Sequence, residues 1–194
     1  LMVSVDSATP GIVTAEENSA TSIYNELNSK ATEEFKSWLN PQQPRIDVAN
    51  DTSSLANGSD TIEKILTQHI SESNLGIDIG HVHGYGMQSV HPTVSIIWPN
   101  GTKVLYGPIT AERCIDVINE TQDGPNSHLK DLLIGQISGE TSEIPSIRDH
   151  TFFSSEPEER RLLANLGITD PNSLNHAIAT GSYRATARII GRRM

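Results

Sequence analysis

His81 to Gly107 reads HVHGYGMQSVHPTVSIIWPNGTKVLYG, and the rest of the chain leads into it or packs on it. A Gly-rich bend at Gly84 and Gly86 precedes the apolar run Thr93-Val94-Ser95-Ile96-Ile97-Trp98. A Pro99-Asn100-Gly101 turn then leads to a second short run, Lys103-Val104-Leu105-Tyr106. Two β-rich runs joined by Pro-Asn-Gly predict a hairpin, because Gly supplies the positive φ that such turns need.

Upstream, Ile46 to Ala49 is strand-like and Asn50 to Gly58 reads as a polar loop. Ser59-Asp60 then caps a helix whose apolar face is Ile62, Ile65, Leu66, His69 and Ile70. Leu75 to Ile79 alternates like a half-buried strand. Downstream of the hairpin, Thr110 caps a helix with Cys114, Ile115, Val117 and Ile118 inward. The order strand, helix, strand, hairpin, helix describes a thioredoxin-like α/β layer over residues 45–122.

The ends are helical. Asn40-Pro-Gln-Gln-Pro44 breaks the chain and sets off residues 1–40 as an N-terminal helical extension. Within it, Met2 to Asp6 reads as a short strand and Thr14 to Leu39 as a helix. Residues 123–194 read as linker and helical tail, with Gln122 to Ser142 mostly linker apart from a turn at Leu129 to Leu133. A Ser155/Glu158 capping box precedes Arg160 to Leu166, and Gly167 closes that helix. Asp170-Pro171 opens a helix that Gly181 ends. From Ser182 a last helix carries Arg184, Arg188, Arg192 and Arg193, which suit an acidic partner or phosphate as well as a solvated face.

A net charge of −10 over 194 residues argues against nucleic acid, which needs clustered Lys and Arg. No run is long enough for a membrane span and the start is no secretory signal, so a cytoplasmic location is expected. One cysteine, Cys114, excludes both a disulfide framework and dithiol redox chemistry, and its helical position predicts a buried, inert thiol. His81, His83 and His91 could ligate a metal, yet no acidic or cysteine partner stands at motif spacing. The glycines at Gly58 and at Gly84 to Gly86 fit turn geometry better than an anion cradle, since no dinucleotide or Walker fingerprint is complete.

From Arg45 onward the chain resembles the N-terminal portion of the NADH-oxidising flavoprotein subunit shared by complex I, bidirectional hydrogenases and NAD-dependent formate dehydrogenases. The resemblance rests on Pro92-Thr-Val-Ser-Ile-Ile-Trp-Pro99, Leu105-Tyr-Gly-Pro-Ile-Thr110, Glu143-Ile-Pro145, Leu166-Gly-Ile-Thr-Asp-Pro171-Asn-Ser-Leu174 and Gly181-Ser-Tyr183. In many relatives this portion is a thioredoxin-like ferredoxin domain holding a two-iron, two-sulfur cluster. Here the four ligand positions carry Ala49, Ser54, Gly84 and Gln88, none of which is a thiolate.

The resemblance therefore implies a degenerate, cluster-free ferredoxin domain, as in formate dehydrogenase beta subunits. It implies a docking module whose hairpin and Gly84 to Gln88 turn face other subunits of an NAD-linked oxidoreductase complex. FMN, NAD and iron–sulfur clusters are implied for the full-length family. Their binding segments would lie beyond Met194, so no catalytic or cofactor-binding residue is assigned in this chain. Alternatives are a free-standing interaction or scaffold protein of the same fold and, ranked last, a small metalloenzyme using the three histidines.

Overall fold

The computed structural model describes residues 15–139, 141, 143–154 and 164–193. The strand expected at Met2 to Asp6 and the Ser155/Glu158 capping box lie outside the described residues. Five strands form one sheet: β1 (Arg45–Ala49), β2 (Asp78–Val82), β3 (Val94–Ile97), β4 (Lys103–Tyr106) and β5 (Leu133–Ser138). Their order is β2-β1-β3-β4-β5, with β1 and β2 parallel and the other pairings antiparallel. A parallel β1/β2 pair joined through helices, followed by an antiparallel β3–β4 hairpin and a helix, is the thioredoxin-like topology. Helices flank it at both ends: α1 (Ala15–Leu39) before it, and α5 (Thr151–Ser154), α6 (Leu174–Ala179) and α7 (Arg184–Arg193) after it.

Several local readings shift. The loop after β1 contains a short helix, α2 (Thr52–Ala56), because Asp51 caps it by accepting from Ser53 N and Ser54 N. Gly58, in the left-handed region at φ 91°, takes the cap position of α3 (Ser59–Glu72), so Ser59 lies inside the helix and caps nothing. Strand β2 starts three residues later than expected, since Leu75 N donates back to Ile70 O and closes α3 first. Thr110 heads a 3₁₀ turn, Ala111–Arg113, that runs on into α4 (Cys114–Asp123), and its side chain makes no capping bond. Ser173, and not Asp170, caps α6 by accepting from His176 N. The stretch expected to be linker holds β5, whose Gly135 interrupts the hydrophobic pattern.

The sheet is covered on both faces, so every residue of β1, β3 and β4 is buried. Ile46, Val48, Val94, Ile96, Val104 and Tyr106 point to one face, where α3 brings Ile62, Leu66 and Ile70 and α4 brings Cys114, Val117 and Ile118. His69 and Ile115 fall outside these stripes and are exposed, because a helix turns about 100° per residue. The opposite face carries a smaller cluster of Met87, Leu105, Ile134 and Ile147. Beside that cluster on the same face stand Arg45, Asp47 and Lys103. With its strands enclosed, the hairpin exposes its tip at Pro99, Asn100 and Gly101 instead of a strand face.

The helix α1 is tied to this second face through Trp38. Its indole Nε1 donates to Ile168 O at 2.9 Å, and its ring stacks on the Arg45 guanidinium at 3.5 Å. His176 of α6 lies against Phe35 and Trp38, with ring centroids 5.1 and 4.8 Å away, and its Nδ1 accepts from Asp170 N at 3.0 Å. Burial holds the His176 pKa below its usual value, against the attraction of Asp170 and Glu34. The unfolded chain therefore binds this proton more readily than the folded one, so stability rises with pH up to about 6.5 and falls on acidification. Urea unfolding above and below that pH is expected to show this loss. His176→Asn is expected to flatten the slope by at most about 1.4 kcal/mol per pH unit.

Candidate functional site

The end of β1 delivers the chain to Asp51, which collects one amide or hydroxyl after another. Its Oδ1 accepts from Ser53 N at 3.0 Å and Ser54 N at 3.1 Å. Its Oδ2 accepts from the Ser54 hydroxyl at 2.9 Å and from Gly84 N at 2.9 Å. One carboxylate thus joins the N-terminus of α2 to the turn after β2, where a helix end has amides to spare. Burial alone would raise the Asp51 pKa. The bonds from Ser54 and Gly84 and the charge of His91 outweigh it and hold the carboxyl below its ordinary value.

His91 closes the group. Its Nδ1 lies 3.2 Å from Ser54 Oγ and 3.8 Å from Asp51 Oδ1. Ser54 has one hydroxyl hydrogen, and with that given to Asp51 its oxygen accepts from His91 Nδ1–H. The opposite nitrogen, Nε2, is buried and has no hydrogen-bond partner among the described residues. Gly84 is required here, because a Cβ would collide with Asp51 Oδ2 and lie 3.0 Å from His91 Nε2. His91 also lines a neighbouring cavity of about 420 Å³ between the start of α3 (Asn57, Gly58, Thr61) and the Pro108–Ala111 segment.

The four positions singled out by resemblance have different fates. Ser54 and Gly84 meet on the Asp51 carboxylate. Ala49 is buried at the end of β1, two residues before Asp51. Gln88 is exposed on a 3₁₀ turn, Gln88–Val90, with its amide bonded to Gly86 O. Reading the sequence missed Asp51, and it weighed His91 only as a metal ligand, not as the partner of Ser54. The Asp-Thr-Ser-Ser run was the available signal, since Asp before small polar residues is a helix cap.

A two-iron, two-sulfur cluster does not fit this donor set, which consists of hydroxyl, carboxylate, imidazole and amide groups where soft thiolates are needed. Cys114 stands elsewhere, on α4 in the main core, with Sγ 3.7 Å from Thr110 O. Burial first, and Glu112 second, push its pKa up to about 11, so its thiolate is disfavoured. The three histidines do not converge: His81 pairs with Glu63 at 3.0 Å, His83 is exposed, and His91 sits with Ser54. Among the described residues, no group of three or more His, Cys, Asp or Glu side chains could hold a metal ion. No helix among them is long and apolar enough to cross a membrane.

No family profile and no curated protein matches the sequence. Among solved structures, the chain is similar to a thioredoxin-like 2Fe-2S ferredoxin from Aquifex aeolicus. The identity is 15% over 50% of this chain and 94% of that one, with a TM-score of 0.40. A wild-type form of that ferredoxin matches at 16% identity, over 47% and 96% of the two chains, with a TM-score of 0.38. A cysteine-to-serine variant of it matches at 16% identity, over 47% and 97%, also with a TM-score of 0.38.

Asp51→Asn keeps the size of the cap and removes its charge. It is expected to cost about 2 kcal/mol in urea unfolding at neutral pH. A carboxyl with a lowered folded pKa stabilises above its ordinary value of 3.8 and loses that contribution as pH falls through the folded value. The deficit of Asp51→Asn should therefore shrink in acid. Gly84→Ala, which forces a methyl group onto Asp51, is expected to destabilise by about 1–3 kcal/mol at any pH.

Proposed function

We propose that this chain is a cluster-free, thioredoxin-like docking module of an NAD-linked oxidoreductase, of the formate dehydrogenase beta or NADH dehydrogenase type. Hydride and electron transfer proceed elsewhere in the complex, on FMN, NAD and iron–sulfur centres that other segments hold. The observation that carries this reading is the hydrogen-bonded group of Asp51, Ser54, Gly84 and His91, which includes Ser54 and Gly84, two of the four positions where the resemblance places cluster ligands. A buried polar group joined by several hydrogen bonds rigidifies its surroundings, as a docking surface requires.

The surface offered to a partner is the turn after β2. Met87 anchors it in the smaller core, while Gly86, Gln88 and Ser89 stay exposed. Phe152, about 40% exposed, stands next to Gly86 and adds an aromatic edge to the patch. Tyr85 braces the turn from behind, donating to Gly167 O at 3.4 Å. A free-standing interaction module would use the same patch without an attached flavoprotein.

Affinity purification of the tagged chain from its native host is expected to recover flavin-containing, NADH-oxidising subunits. Gln88→Glu together with Phe152→Ser should reduce that recovery without lowering the melting temperature by more than a few degrees. The recombinant chain alone should contain no iron by elemental analysis and should not oxidise NADH. Stoichiometric iron bound to the chain would overturn the cluster-free assignment. Recovery of partners without any flavin would favour the free-standing module.

A further inference from the structure

The second face of the sheet has a cavity of about 330 Å³ that the docking reading does not use. Its walls include the apolar side chains of Leu39, Ile97, Ile137 and Ile168, together with Arg45 and Lys103. Both cationic residues are more than nine-tenths buried, at 4% and 9% exposure. They share one carboxylate. Asp47 accepts from Arg45 Nε at 2.6 Å, from Arg45 Nη2 at 3.3 Å and from Lys103 Nζ at 3.1 Å.

Charge and donors are both in surplus. Among the described residues, neither cation pairs with a second carboxylate, so two positive groups face one negative group. The guanidinium has five N–H donors. Among the described residues three of them find acceptors: two on Asp47 and one at Trp38 O. The ammonium has three donors, and among the described residues two are used, on Asp47 and on Gly167 O at 2.8 Å. Burying an uncompensated charge is expensive unless an anion joins it. Burial indeed pulls the Lys103 pKa down, against the opposing pull of Asp47.

We propose that this cavity binds a small organic monoanion, a short aliphatic carboxylate whose head takes the spare donors of Lys103 and Arg45 and whose tail lies along Leu39, Ile97, Ile137 and Ile168. The volume suits a small ligand, and apolar walls with a few convergent polar groups are the usual make-up of such sites. A neutral ligand of the same shape gains the apolar contact and leaves the excess charge uncompensated. An amine adds to that charge.

Titration calorimetry and amide chemical-shift mapping with n-hexanoate, hexan-1-ol and hexylammonium test this assignment. Hexanoate should bind saturably at one site, moving the amides of Ile97, Lys103 and Ile168. Hexan-1-ol should bind at least about tenfold more weakly, and hexylammonium should not bind. Lys103→Met should erase the preference for acid over alcohol. Because that substitution also strips Asp47 of a partner, Ile168→Glu serves as a second variant. It sets a competing carboxylate at the partly exposed wall of the same cavity and leaves the Asp47, Arg45 and Lys103 side chains in place, and should weaken hexanoate at least about tenfold. Equal binding of hexan-1-ol and hexanoate, or no saturable hexanoate binding below roughly 10 mM, would overturn the proposal.

Discussion

Asp47 is a fully buried carboxylate in the middle of a central strand, and much of the molecule is arranged to make that tolerable. Strand neighbours on both sides give it room: Gly80 opposite on β2 and Ser95 opposite on β3. A Cβ at Gly80 would lie 2.5 Å from Asp47 Oδ1 and 2.6 Å from Trp38 Cη2, so the glycine is the gap into which the ion pair and the indole fit. Arg45 and Lys103 neutralise the charge, and each then recruits a distant segment. Arg45 donates to Trp38 O and so binds the end of α1, while Lys103 donates to Gly167 O ahead of α6. Removing one member of such a buried set costs far more than the set contributes to stability. The appended helices are tied to the sheet through the backbone acceptors that these buried cations recruit and through the aromatic contacts of His176.

The other face works differently. There the main core is apolar, and α4 brings the buried carboxylate of Glu120 to it. It accepts from the Tyr106 hydroxyl at 2.7 Å and from the backbone amides of Asn126, Ser127, His128 and Leu129. A loop without regular structure is thereby fixed by one side chain, and it leads the chain into β5. Asp51 does the same for the α2 and Gly84 segments. Two carboxylates acting as loop organisers explain how a chain with so few aromatic residues keeps long connections ordered.

The strand–helix–strand–hairpin–helix order was legible because Val94 to Ile97 and Lys103 to Tyr106 flank a Pro-Asn-Gly turn and because Ile62, Leu66 and Ile70 recur at helical spacing. Strand β5 was not, since Leu133-Ile-Gly-Gln-Ile-Ser lacks both a continuous apolar run and clean alternation. Asp47 and Lys103 have the composition of exposed residues, and nothing in their local sequence signals a covered second face. Of the candidate site, Ser54 and Gly84 were found through resemblance. Asp51 and His91 lie 40 residues apart and meet through tertiary folding, which spacing along the chain does not reveal.

The segment from Ile144 to Asp149 runs along the outer side of β5. Gln136 N donates to Pro145 O at 2.8 Å, Gln136 bridges Ser146, and Gly135 has no side chain to keep the Ile147 backbone away. The chain therefore caps one border of its own sheet. An exposed border is a template on which foreign strands pair, in domain swapping as in fibril growth. Among the described residues, the border left unpaired is that of β2, five residues long and carrying Asp78 and His81. Strand-by-strand growth of this sheet, as far as the described residues form it, would enter at this short border, which carries a carboxylate.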